Sequence, residues 1–138
     1  MADAPETILN RALARLLHDA GLAIYATGPG PIPERGIRID GVMPTGVNEF
    51  TLLTPLQPVS DGRANVIYRT QFYTRRAGSP LVARAWAAGL RGVLDQVEYT
   101  PNVLGISWAQ EFSALDFEPD SQGRSAVAAT YTFRGRRP

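Results

Sequence analysis

Apolar residues recur at helical spacing near the start of the chain. Leu9, Ala12, Leu13, Leu16, Leu17 and Ala20 make one stripe, which predicts an amphipathic helix. Asp3 and Glu6 have capping-box spacing, Pro5 suits the first turn, and Gly21 falls where a left-handed C-cap is expected. His18, in the last turn, reads as a capping or surface residue beside the helix carbonyls. Residues 22–27 read as a short strand. From 28 to 48 glycine and proline break regular structure, with Ile37 and Ile39 as isolated apolar anchors. A connection this long is either a plain surface loop or a segment that binds something.

Beyond it the period changes to two. Residues 50–54 predict a strand stopped by Pro55 and Pro58, and Asp61-Gly62 predicts a turn. Residues 64–75 give the clearest strand. Val66, Tyr68, Thr70, Phe72 and Thr74 share one face; Ile67, Arg69, Gln71, Tyr73 and Arg75 share the other, which is partly covered. Ser79-Pro80 opens a second helix, with an apolar stripe of Val82, Trp86, Leu90, Val93, Leu94 and Val97. Ala85, Ala88, Gly89 and Gly92 keep its remaining surface small. Residues 104–117 predict a strand whose imperfect alternation calls for a bulge. Residues 125–133 predict the last strand, followed by a basic, frayed tail. The order α-β-β-β-α-β-β predicts a single α+β domain over residues 1–138. Two helices would pack on one face of a mainly antiparallel sheet of about five strands.

Composition then narrows the chemistry. A chain that is 44% apolar and 20% charged supports a core. No cysteine is present, which removes disulfides, thiolate zinc sites and cysteine nucleophiles. The basic residues are all arginine, so neither a Schiff-base lysine nor a P-loop lysine exists. One histidine, His18, leaves little for a metal site or a triad. No nucleophile elbow or dinucleotide fingerprint occurs. Asp116, Glu118 and Asp120 cluster, but an EF-hand loop needs more oxygen ligands. Arg75-Arg76 and the arginines at 134, 136 and 137 lie near aromatics. Net charge is only +1, and no nucleic-acid-binding signature accompanies them. The N-terminus is acidic and lacks a signal-peptide core, and no apolar run is long enough for a bilayer. The expectation is a protein that is not an enzyme, has no cofactor or metal, and does not engage a membrane.

Three short stretches suggest a family. Gln71-Phe72-Tyr73-Thr74-Arg75-Arg76 closes the long strand just before a helix. Leu52-Leu53-Thr54-Pro55 forms the shorter strand before it, and Asp120-Ser121-Gln122-Gly123-Arg124 leads into the last strand. With the leucine-rich opening helix, the chain resembles the tail terminator (tail-completion) proteins of long-tailed phages, often labelled minor capsid or head–tail joining proteins. The resemblance implies a structural virion protein at the head–tail junction, assembled in the host cytoplasm. It would form a homo-oligomeric ring, commonly a hexamer, that caps the tail tube protein and docks the head connector. DNA would pass through without sequence reading. A head-completion adaptor or stopper, or a small cytoplasmic ligand-binding domain, are the alternatives.

A head-to-tail ring needs two different patches on each subunit. Basic Arg75 and Arg76 against acidic Asp116, Glu118 and Asp120 are one candidate pair, with Arg69 and Tyr73 on the same strand as further interface candidates. These groups could equally pair within one subunit or stay solvated. The 28–48 segment is expected to be poorly ordered in a free subunit and ordered by neighbours.

Overall fold

The computed structural model describes residues 3–28 and 30–137. Along the chain its elements run α1 (Pro5–Asp19), β1 (Gly36–Arg38), β2 (Phe50–Ser60), β3 (Asn65–Ala77), α2 (Pro80–Leu94), β4 (Val97–Glu98), β5 (Trp108–Phe117) and β6 (Arg124–Arg136). The strands form one sheet in the order β1-β2-β3-β6-β5-β4. β1 lies parallel to β2, and the other pairs are antiparallel. The fold is α+β as the sequence predicts, but the sheet is six-stranded and mixed.

Strict alternation in β3 explains its central place. Val66, Tyr68, Thr70, Phe72, Thr74 and Arg76 all point under the helices and are buried, while the intervening residues are half-buried. β6 pairs with β3 along its whole length and contributes Val127, Ala129, Tyr131 and Phe133 to the same core. Leu9, Leu13 and Leu17 of α1, four residues apart, pack there with Ala14. The polar Asn10 is also buried, where its Oδ1 accepts a hydrogen bond from the Thr70 hydroxyl (2.8 Å). Ala83, Trp86, Ala87, Leu90 and Leu94 of α2 complete the core. This stripe is turned slightly from the predicted one, leaving Val82 exposed and Val97 in β4. Of the small residues in α2, Gly89 is the one at a close approach. A Cβ there would sit 2.9 Å from the Leu22 side chain.

Several sequence expectations give way to tertiary context. Residues 22–27 make no strand, only a single parallel bridge from Ile24 to Gly36. Ile37, read as a loop anchor, lies in β1. β2 runs on through Pro55 and Pro58, because from Leu53 onward it pairs on one side only and proline's missing N–H is tolerated at an open edge. The α1 N-cap is Ala4 with no side-chain cap, and Asp3 instead pairs with Arg11. The C-cap is as expected: Gly21 adopts φ +75°, and the N–H groups of Gly21 and Leu22 donate to His18 and Leu17 carbonyls. The His18 Nδ1 accepts from the Tyr25 N–H (3.1 Å).

Nor does the strand end at Phe133. β6 continues to Arg136, the Tyr68 hydroxyl donates to the Arg136 carbonyl (2.9 Å), and the Arg137 N–H donates to Ala64 (3.0 Å). Gly135 permits this, since a Cβ there would lie 2.9 Å from the Leu104 carbonyl oxygen and 3.1 Å from the Tyr68 ring. Gly135→Ala is therefore expected to destabilise by about 1–3 kcal/mol through overpacking. Urea denaturation checks this; an unchanged midpoint would place the strand end elsewhere.

Candidate assembly surface

Both helices lie on one sheet face, so the opposite face depends on its own side chains and loops for cover. Register sets its rows. Phe50, Arg75, Ala126 and Phe117 align across β2, β3, β6 and β5, and Leu52, Tyr73, Ala128 and Leu115 form the next row. The β2 corner is roofed by the β1–β2 loop. The Arg75 guanidinium donates to the carbonyls of Val47 (2.6 Å) and Asn48 (3.0 Å) and lies 4.6 Å from the centre of the Phe50 ring. Tyr73 sits between Phe50 and Phe117, with ring centres 5.9 and 5.7 Å away. Among the described residues the β5 end has no such roof. Leu115 is 60% and Phe117 40% exposed, and Phe112 is 67% exposed where the β5–β6 register shifts. The register shift falls between Glu111 and Ser113, within the 104–117 segment whose imperfect alternation calls for a bulge.

The candidate interface residues separate accordingly. Arg69, Tyr73 and Arg75 share the helix-free face. Arg69 donates to the Gln57 carbonyl (3.1 Å), while its buried Nε makes no hydrogen bond among the described residues. Arg76 points the other way and is 4% exposed, which leaves no surface for a neighbouring subunit. Its guanidinium donates to the carbonyls of Leu22 and Arg75 (3.1 Å each) and, at 3.5 Å, of Phe50. Burial pulls its pKa down to about 10, so it stays protonated at neutral pH. Asp116 also lies on the helix side and pairs with Arg84 (3.0 Å). Asp120 closes its own turn, accepting from the Gln122 and Arg124 N–H groups and pairing with the Arg124 side chain. Glu118 is exposed just past β5. Glu118 aside, the two charge groups thus meet carbonyls, a helix arginine, and the amides and arginine of the turn within the chain.

The β1–β2 loop is richer in local contacts than its composition suggests. The Glu34 carboxylate accepts from the Asn48 and Glu49 N–H groups (2.9 Å each), which holds its pKa below the ordinary 4.5. Burial pushes Glu49 up. Hydrogen bonds from Arg35 and the Ala77 N–H, with the nearby charges of Arg35 and Arg76, outweigh that and leave it below 4.5. A carboxyl lowered by folding stabilises above its unfolded pKa, and that contribution is lost as pH falls through the folded value. The Asn48 and Glu49 amide resonances are expected to titrate with midpoints below 4.5. The loop should loosen there before the core does, and Glu34→Gln should loosen it at neutral pH. NMR titration checks both; midpoints above 4.5 would mean that the clamp does not form.

Among the described residues no three histidines, aspartates or glutamates are placed to hold a metal ion, and no helix is long and apolar enough to cross a membrane. A cavity of about 480 Å³ lies between the end of α1 and the start of α2, lined by His18, Leu22, Ile24, Arg35, Arg76 and Trp86. Its two arginines are engaged within the chain, Arg76 by carbonyls and Arg35 by Glu49.

The strands and helices define a small α+β domain with one helix-covered and one partly bare sheet surface. No protein-family model matches the chain, and no curated protein sequence matches it. A chain in the solved structure described as "Virion of native gene transfer agent (GTA) particle" has a similar fold. It is 17% identical, with a TM-score of 0.60, over 97% of this chain and 96% of that one.

Proposed function

We propose that this protein is a structural component of a phage-like virion. In this reading it assembles as a ring, a hexamer, that caps a completed tail tube and offers the joining surface to the head connector. Its role is structural rather than catalytic, and DNA passes through the ring as a passenger. The observation that carries the reading is the end-to-end fold likeness to a chain of a gene transfer agent virion, extending over nearly the whole of both chains. Support also comes from the bare β5 end of the sheet, where three large apolar side chains stand exposed. Exposed patches of this kind mark interaction sites.

Native mass spectrometry and electron microscopy of the purified protein test it. A closed ring supports the reading, and six-fold symmetry its finer form. A compact monomer at high concentration overturns it and favours a ligand-binding domain built around the 480 Å³ cavity.

A further inference from the structure

We infer that consecutive copies meet head to tail, the Val42–Met43 tip of one copy's β1–β2 loop seating on the bare β5 end of the next copy's sheet. The inference rests on the reading of the chain as a ring-forming subunit and specifies the contact that closes the ring. Such a ring repeats one contact between two unlike patches. The exposed apolar residues beside the sheet supply such patches at its two ends. Phe112, Leu115 and Phe117 stand on β5, and Val42 and Met43, each 51% exposed, stand on the loop beyond β2. The strand order β2-β3-β6-β5 separates the two by three strand spacings, roughly 14 Å along the sheet.

The loop tip is pre-organised. Asp40 accepts from the Val42 N–H (3.0 Å) and from Arg38 (2.8 Å), Glu34 clamps Asn48 and Glu49, and Arg75 holds the Val47 and Asn48 carbonyls. Between those anchors two apolar side chains are presented to solvent, so seating them costs little further ordering. An unbranched methionine also adapts readily to an aromatic surface.

The receiving edge is open. β4 pairs with β5 only at Trp108 and Ala109, the Glu111 N–H donates to Asp95, and beyond that no strand among the described residues pairs with this side of β5. The two edges cannot simply continue one sheet, because Pro55 and Pro58 blunt the free edge of β2. Pairing β5 with a second β5 would set one patch against itself, whereas a head-to-tail ring joins two unlike patches. The loop of a neighbouring copy meets neither obstacle.

Because the chain has no cysteine, single-cysteine variants report the contact directly. Met43→Cys and Leu115→Cys are purified separately, mixed, and treated with a short bis-maleimide. The mixture is expected to give about tenfold more cross-linked dimer than either variant alone, since the seated pair is held at high effective concentration. It should equally exceed a mixture of Met43→Cys with Ala88→Cys, on the exposed face of α2. Efficient cross-linking of Leu115→Cys alone would overturn the inference in favour of edge-to-edge pairing. No preferential cross-link, with wild-type rings present, overturns this contact and leaves the ring standing. Neither rings nor cross-link overturns both. As a second measurement, Leu115→Glu should fold with an unchanged circular dichroism spectrum yet run as a monomer; intact rings would reject the contact.

Discussion

Trp86→Ala is expected to lower the stability of the folded subunit by about 3–5 kcal/mol, as large-to-small aromatic deletions in cores do. Trp86 is buried at the junction of α2, the Leu22 segment and the sheet. Its indole N–H donates to the Leu22 carbonyl (2.8 Å), and the Arg76 guanidinium lies 5.9 Å from the ring centre. Alanine would leave a cavity where the backbone cannot easily collapse, since Leu22 is already pressed against Gly89. Trp86→Phe keeps most of the packing and loses the hydrogen bond, for about 1–2 kcal/mol. Urea denaturation separates the two. A near-neutral Trp86→Ala would mean that α2 is turned the other way.

Arg76→Glu is expected to be at least as costly, about 3–5 kcal/mol, because it leaves an uncompensated buried charge. The carboxylate would face the carbonyls of Leu22, Phe50 and Arg75, which already accept from Arg76 and have no proton to give. Arg76→Met, similar in length and uncharged, should lose about 1–3 kcal/mol for the unpaired carbonyls. Arg75→Glu differs in kind. It removes two hydrogen bonds to the loop and the stacking on Phe50, yet the side chain is only half-buried on the helix-free face. That variant is expected to fold, with faster hydrogen exchange in residues 41–49. Thermal unfolding and exchange distinguish the neighbours; equal effects of the two reversals would contradict their opposite orientation.

This pair also marks how far the sequence could be read. Alternation along β3 predicts that Arg75 and Arg76 point to opposite sides, but nothing local says that an arginine belongs in a core. The core accepts Arg76 because two carbonyls reach it from segments far apart in sequence, the turn after α1 and the start of β2, beside the Arg75 carbonyl of its own strand. Phe112 is the reverse case. Its apolar character suggests burial, yet it stands 67% exposed at the slip between Glu111 and Ser113 against β6.

Periodicity settled what was local. Two amphipathic helices, the long strand and its partner, the turn before β6 and the α+β class follow from spacings of four and two, because each is dictated by which face of an element is apolar. Pairing settled the rest. β1 is three residues long and carries no pattern of its own, so it exists because β2 and the Ile24 bridge offer partners. β2 continues through two prolines because its outer edge is open, and β6 runs past its predicted end because Gly135 fits where no side chain would. The roofed and bare halves of the helix-free face likewise arise from where the β1–β2 loop folds back. That is a long-range contact, and no short window of sequence encodes it.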